Sequence, residues 1–177
     1  VIAPHAGYVY SGPVAGSAFR VWAETGPQVE RVILLGPSHH VWFEGLALPR
    51  AAAFRTPLGR VPVDREAIRR LADLPQVKFF DAAHAGEHCL EVELPFLQVL
   101  WPRFSIVPLV VGDCTDEEVA EVLDRLWGGP ETRIVVSSDL SHYHPYDEAV
   151  RMDRATAAAI EARQPEVLTP QHACGFR

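Results

Sequence analysis

The sequence predicts a three-layer α/β/α domain with a mostly parallel central sheet and a β-hairpin insertion. Short apolar runs bounded by Gly or Pro recur along the chain, as in strands that are buried on both faces of a sheet. Segments with the apolar spacing of helices separate these runs, and such alternation is typical of α/β domains. The strongest predicted strands are residues 1–4, 32–35, 105–111 and 133–136.

The first strand-helix-strand unit brings two histidines to one edge of the predicted sheet. Residues 13–23 have the spacing of a helix that packs on a sheet, and crossovers of this kind place their two strands in parallel. His5 and His39 each follow a strand of the unit. If these strands are neighbours, the two histidines emerge ~4.8 Å apart at the carboxyl edge, where open α/β sheets bind ligands.

The middle of the chain predicts the hairpin. Residues 43–64 contain short extended runs, and Pro57 and Gly59 bracket a turn between them. Asp64 is a predicted N-cap for a helix over residues 65–74. The remaining predicted elements are a strand over 77–80 and helices over 87–100 (with a kink at Pro95), 115–127 (with a Thr115/Glu118 capping box) and 147–162.

Composition excludes several classes of partner. The 177 residues suit one domain, and a net charge of −7 argues against nucleic-acid binding. No apolar run is long enough for a membrane span, and no secretory leader is visible. Three widely spaced cysteines without a C-x-x-C pair favour a reduced, cytoplasmic setting. Because the chain starts inside a strand without Met, we expect residues 1–177 to be one domain truncated at both ends.

The strand-terminal histidines suggest a metal site. A lone histidine is more often a hydrogen-bonded loop or core residue, and we favour that interpretation for His40 and His144. His5 and His39 together are better explained as ligands, since imidazole is the commonest metal ligand. Asp139 and His142 follow another predicted strand, and Asp139 could fix the tautomer of a ligating imidazole.

Three further features leave alternatives open. His88 and Glu91 lie on one face of a predicted helix. They could be a pair of metal ligands, an acid–base pair, or only the solvated start of the helix. Tyr10 could line a pocket or only pack against other residues. Cys174, beside two imidazoles, would complete a site for Fe(II), Cu or Zn, although taken alone it is more simply an inert thiol.

Six motifs occur in order along the chain: Ala3-Pro4-His5-Ala6-Gly7-Tyr8, Gly36-Pro37-Ser38-His39-His40, Arg55-Thr56-Pro57-Leu58-Gly59, Glu87-His88-Cys89-Leu90-Glu91, Ser137-Ser138-Asp139 with His142, and Cys174-Gly175. Together they resemble the Memo family (mediator of ErbB2-driven cell motility), including its bacterial members called AmmeMemoRadiSam system protein B. The resemblance covers essentially the whole chain and implies a fold similar to that of class III extradiol dioxygenases, which are non-haem Fe(II) enzymes.

The resemblance implies a particular ligand set and reaction class. His5, His39 and Cys174 would hold Fe(II), or else Cu or Zn, and Asp139 and His142 would line the same pocket. In such a site we expect His142, oriented by Asp139, to act as the acid–base. The dioxygenases carry a carboxylate where this chain has Cys174, so the metal preference and redox potential would differ. We therefore expect an oxidoreductase that uses O2 or a small organic substrate, with His88, Glu91, Tyr10 and His40 as substrate-pocket residues.

Two alternatives belong to other functional classes. The same crevice could serve a binding module without turnover that recognises other proteins, such as phosphorylated receptor peptides, although the acidic net charge argues mildly against these. It could also serve a hydrolase that uses Zn-activated water or Cys174 as the nucleophile. Pro- and Ala-rich faces would permit a homo-oligomer.

Overall fold

The predicted α/β architecture is confirmed by a computed structural model, which describes residues 1–25 and 29–174. A six-stranded sheet has the order β1-β8-β2-β7-β3-β6, and a separate two-stranded hairpin consists of β4 and β5. The strands are β1 Ile2–Ala3, β2 Arg31–Pro37, β3 Leu46–Leu48, β4 Ala53–Thr56, β5 Gly59–Pro62, β6 Val77–Phe79, β7 Ser105–Val111 and β8 Thr132–Ser137. The helices are α1 Tyr8–Thr25, α2 Arg65–Arg69, α3 Ala82–Ala85, α4 Leu94–Leu100, α5 Asp116–Leu126 and α6 Tyr146–Ala162.

The sheet is parallel except where β3 runs antiparallel to β7. Its centre is β2 between β7 and β8, and β2 and β7 are nearly continuous buried apolar runs, as expected of strands covered on both faces. Helices α1 and α4 contact each other, and the segment before α4 lies against Gly36. The opposite face carries α5, whose Val119 and Leu123 line a cavity with Leu35 and Val136. Within the described residues, no helix is both long enough and apolar enough to cross a membrane.

The order of the strands corrects one prediction. β1 and β2 are not neighbours, because β8 pairs with both of them. The crossover from β1 through α1 to β2 therefore leaves room for a strand that the chain forms more than 90 residues later. The edge position of β1 is consistent with its length of only two residues.

Three other elements differ from their predicted bounds. Helix α1 begins at Tyr8 rather than at residue 13 and includes Pro13. The segment predicted as one hairpin contributes β3 to the main sheet, and only β4 and β5 form the hairpin. Helix α2 is capped by Asp64 as predicted but ends at Arg69.

The predicted helix over residues 87–100 is wrong in its first half. A turn is followed by a 3₁₀ segment, Glu91–Glu93, and only then by α4. Pro95 lies in the first turn of α4, where its missing N–H has no intrahelical partner to lose, so it does not kink a longer helix. His88 and Glu91 consequently do not share the face of a regular helix.

Gly45 immediately precedes β3 and lies too close to a neighbouring backbone segment for a side chain. It has φ +84°, and a Cβ built on it would lie 2.1 Å from the carbonyl oxygen of Gln76. We expect Gly45→Ala to lower the free energy of unfolding by about 3 kcal/mol, since left-handed strain adds to overpacking. Chemical denaturation would measure this. Gly16→Ala in α1 is the control, because its nearest neighbour is 3.7 Å away and alanine favours helix. Equal effects of the two substitutions would contradict the prediction.

Candidate metal centre

His5 is a buried imidazole just beyond the end of β1. Its side chain is 2% exposed, and its backbone N–H donates to Oδ1 of Asp139 at 2.7 Å. Nδ1 lies 2.9 Å from Oγ of Ser137, the last residue of β8. Burial lowers the pKa of His5 to about 4, against the opposing effect of Asp139. His5 is therefore a neutral imidazole at neutral pH, which is the form that ligates metals.

His39 approaches His5 from the far side of β8. The ring centroids of the two histidines are 5.1 Å apart. The carboxylate of Glu87 accepts two hydrogen bonds from His39, one from the backbone N–H and one from Nδ1, both at 2.8 Å. Nδ1 donates to Glu87, so Nε2 is the ring nitrogen free to bind a ligand, and no partner for it occurs within residues 1–25 and 29–174.

Glu87 shapes the loop that follows α3. Its carboxylate also accepts hydrogen bonds from the backbone N–H groups of His88 and Cys89, at 2.9 and 3.2 Å. Burial alone would raise the pKa of Glu87, but the bonds from His39, His88 and Cys89 lower it to about 2. Glu87 is thus a fixed anion beneath the two exposed imidazoles of His39 and His88.

His88 completes a cluster of three imidazoles. Its ring stacks on His39 with centroids 5.3 Å apart and meets His5 edge-on at 5.6 Å. In the described part of the chain, His5, His39 and His88 form a group whose ligand atoms all lie within 4.8 Å of one another. Two ligands of one ion, each ~2 Å from it, lie at most ~4 Å apart, so small side-chain shifts would let this group share an ion.

Cys174 contacts the cluster through His5. Its Sγ lies 3.3 Å from Nε2 of His5 and accepts the backbone N–H of Asp139 at 3.1 Å. Burial raises the pKa of the Cys174 thiol, against the bonds from Ser138 and Asp139 that lower it. Among the described residues, the groups with all ligand atoms within 4.8 Å do not include Cys174. Gly175, the other half of the Cys-Gly motif, lies outside the described residues.

Asp139 links the loops after β1 and β8. Its Oδ1 accepts the backbone N–H groups of His5 and Ala6, at 2.7 and 3.1 Å. Its Oδ2 lies 3.8 Å from Nε2 of His5 and 3.6 Å from Nε2 of His142. His142 is 43% exposed, so this pair connects the buried centre to the surface.

The remaining predicted pocket residues have different positions. His40 lies at the rim, with its ring 6.2 Å from that of His39 and its ligand atom grouped with those of Glu87 and His88. Tyr10 is 83% exposed and lines a cavity of about 610 Å³ between α1 and α6, whose lining residues do not include His5, His39 or His88. Glu91 is exposed at the start of the 3₁₀ segment, and no described contact joins it to a histidine.

Three residues that contact the candidate ligands, or a neighbour of them, carry no role predicted from the sequence: Glu87, Ser137 and Glu93. Glu87 immediately precedes His88, and Ser137 ends a strand next to the one that leads to His5, so their positions offered a signal. Glu93 is fully buried, and its Oε1 lies 2.8 Å from Oγ of Ser137. Burial raises the pKa of Glu93 to about 7, against the opposing hydrogen bond from Ser137.

The raised pKa of Glu93 predicts a loss of stability at alkaline pH. The folded protein binds this proton more tightly than the unfolded chain, so the contribution is full below about pH 4.5 and disappears as pH rises through 7. We expect the free energy of unfolding of the native protein, relative to Glu93→Gln, to fall by about 3 kcal/mol between pH 4 and pH 8. Paired denaturation curves would measure this, and a constant difference would contradict it.

Comparison with known proteins settles the family. The chain matches the family described as Memo-like protein over residues 1–171. This protein belongs to the Memo family. It is 40% identical over 175 residues to a MEMO1 family protein of Methanopyrus kandleri, covering 92% of this chain and 59% of that protein. It is also 40% identical over 181 residues to one of Aeropyrum pernix, covering 94% and 62%.

The Memo relatives are longer than this chain. A MEMO1 family protein of Thermotoga neapolitana is 36% identical over 180 residues, covering 95% of this chain and 62% of that protein. The chain thus spans about three fifths of the length of the curated relatives it matches. The three imidazoles of His5, His39 and His88 all lie within this chain.

Proposed function

We propose that this Memo protein is a metal-dependent oxidoreductase that holds Fe(II) through His5, His39 and Cys174, with Cu or Zn as alternative metals. The observation that carries the proposal is the arrangement of His5 and His39. Both imidazoles are anchored through Nδ1, by Ser137 and Glu87, which leaves Nε2 for a ligand. Hydrogen bonding of the second nitrogen is the usual device that orients a metal-binding histidine.

The donor set fits a first-row transition metal. Imidazole suits Fe, Cu and Zn, and a thiolate adds a soft ligand that shifts preference and redox potential. A bound Fe(II) would supply one-electron chemistry and positions for O2 or a small organic substrate. Because the Cys174 thiol has a raised pKa, its ligation requires loss of a proton, and metal binding should release that proton to solvent.

His142 and Asp139 are positioned to move a proton in this reaction. Asp139 is fixed by the two backbone N–H groups on Oδ1, so Oδ2 stays beside His5 and His142. His142 is half-exposed and can exchange a proton between a substrate above the centre and solvent. We assign the acid–base role to His142 and the orienting role to Asp139 because of these positions.

A cysteine-dependent hydrolase is less well supported. That mechanism requires a thiolate beside an imidazolium, as in other Cys–His pairs. Here, burial raises the pKa of Cys174 and lowers that of His5, so both groups of the 3.3 Å pair are neutral. This arrangement gives an inert thiol in the metal-free protein.

Anaerobic reconstitution with Fe(II) tests the proposal. We expect about one equivalent of iron, nitrogen and sulfur scatterers in the iron X-ray absorption spectrum, and O2 consumption when air and candidate reductants are supplied. Cys174→Ala should remove the sulfur scatterer. Cys114→Ala is the control and should retain it, because Cys114 is a partly buried cysteine that follows β7 and is not a proposed ligand. Failure to bind Fe(II), Cu or Zn, or a sulfur signal that persists in Cys174→Ala, would overturn the ligand set.

A further inference from the structure

The hairpin of β4 and β5 places two arginines directly opposite each other. Arg55 pairs with Arg60, so their side chains leave the same face of the hairpin. The next pair, Phe54 and Val61, leaves the other face, where Val61 is buried, and both arginines are exposed. Like charges directly opposite each other destabilise a pair of strands. Within residues 1–25 and 29–174, neither guanidinium group has a hydrogen bond or ion pair that would offset this repulsion.

Arg60 lines a cavity of about 750 Å³ beside the hairpin. The other walls come from α4 and from residues 101–105, which connect α4 to β7. Arg103 lines the same cavity and is exposed, and in the described part of the chain its guanidinium group also has no hydrogen bond or ion pair. The volume is typical of a site for a small molecule.

The lining combines positive charge, a free amide donor and apolar surface. Two guanidinium groups stand against one carboxylate, that of Glu30, and Arg55 adds a third positive charge from beside Arg60. Trp101 and Leu58 supply apolar surface in the same cavity. Guanidinium groups match the geometry of carboxylate and phosphate oxygens. The local excess of arginine therefore favours an anionic ligand, although the net charge of the whole chain is −7.

The Arg55–Gly59 motif builds this wall of the cavity. Oγ1 of Thr56 accepts the backbone N–H of Leu58 at 3.1 Å, and Gly59 has φ +129°, so the motif forms the tight turn of the hairpin. The hydroxyl of Thr56 also donates to Oε1 of Gln98 in α4 at 2.5 Å. This bond ties the turn to α4 and orients the amide of Gln98, whose Nε2 has no acceptor among the described residues.

We propose that this cavity binds a small molecule that carries a carboxylate or phosphate group on an apolar body. The guanidinium groups of Arg60 and Arg103 bind the anionic group, and Trp101 contacts the apolar body. The site is independent of the proposed metal centre. Its lining residues Glu30 and Ser105 lie at the amino ends of β2 and β7, whereas the imidazoles lie beyond the carboxyl ends of the sheet strands, and the seven residues of β2 span about 20 Å.

Calorimetric titration of the chain with phenyl phosphate and with benzoate tests the proposal, and benzyl alcohol is the uncharged probe. We expect at least one of the two anions to bind with a stoichiometry of about one, and benzyl alcohol to bind at least about 10-fold more weakly. Arg60→Gln and Arg103→Gln should each weaken binding of the anion by about 10-fold or more, the effect of one hydrogen bond to a charged group. The tighter of the two anions identifies the group that the site prefers.

Arg154→Gln is the matched control. It removes the same charge from an exposed arginine of α6 that does not line the cavity, and it should bind the anion with native affinity. The bound anion should also raise the Tm of the native protein and of Arg154→Gln, but not that of Arg60→Gln. The proposal is overturned if neither anion binds, if benzyl alcohol binds as tightly as the anions, or if Arg154→Gln weakens binding as much as Arg60→Gln.

Discussion

Replacing both His5 and His39 with alanine is expected to lower the affinity for Fe(II) by more than about 100-fold, since loss of ligands should exceed the 10- to 100-fold effect of their second-shell partners. The two residues come from different loops, and their anchored Nδ1 atoms leave Nε2 on both rings for the ion. Competition titration with a chelator of known affinity, under anaerobic conditions, measures this change directly.

His144→Ala provides the matched control for the double variant. His144 follows the same strand as His142 but faces Glu148 at 3.5 Å and belongs to none of the described ligand groups. Its removal should leave the metal affinity unchanged. If the double variant binds Fe(II) as tightly as the native protein, the strand-terminal histidines are not the ligands, and the proposed function fails with them.

The sequence predicted that His5 and His39 meet if β1 and β2 are neighbours, but β8 lies between these two strands. Neighbouring parallel strands lie ~4.8 Å apart, so strands separated by a third lie ~10 Å apart. The rings are nevertheless only 5.1 Å apart, because both side chains converge over the end of β8. The inserted strand also supplies Ser137 beneath them. Histidines at the carboxyl ends of strands could be recognised from the chain, but strand order depends on long-range pairing that no local pattern records.

The loop that carries His88 shows the other limit of sequence reasoning. The apolar spacing of residues 87–100 predicted a helix, and a helix would have directed Glu87 and His88 to different faces. The structure instead has a turn in which the carboxylate of Glu87 accepts hydrogen bonds from the backbone N–H groups of His88 and Cys89. Side-chain bonds to the backbone compete with helix formation at such positions, and their effect depends on a partner, His39, from a distant strand.

Glu87→Ala should therefore cause one of the largest losses of stability in this protein. The carboxylate is 3% exposed and accepts four hydrogen bonds, from Nδ1 and N–H of His39 and from the N–H groups of His88 and Cys89. Removing an acceptor from buried donors costs ~1–3 kcal/mol for each donor that water cannot reach. We expect the free energy of unfolding to fall by about 3 kcal/mol, measured by denaturant titration at neutral pH.

Glu91→Ala is the control for this substitution, because Glu91 belongs to the same segment but is exposed and has no hydrogen bond or ion pair with a histidine among the described residues. Its effect should stay within ~0.5 kcal/mol. The pH dependence adds a second test. The pKa of Glu87 is lowered to about 2, so its contribution to stability is complete above about pH 4.5 and is lost as pH falls toward 2. The native protein should lose its advantage over Glu87→Ala in that acidic range.

The same substitution distinguishes a structural anchor from a residue that serves the metal centre. Without Glu87, His39 loses the bond that fixes its Nδ1 proton, and its ring is free to turn. Metal affinity should then fall about 10- to 100-fold even under conditions where Glu87→Ala remains folded. If Glu87→Ala is destabilised but binds Fe(II) normally, Glu87 supports only the loop, and the orientation of His39 must come from its stacking on His88.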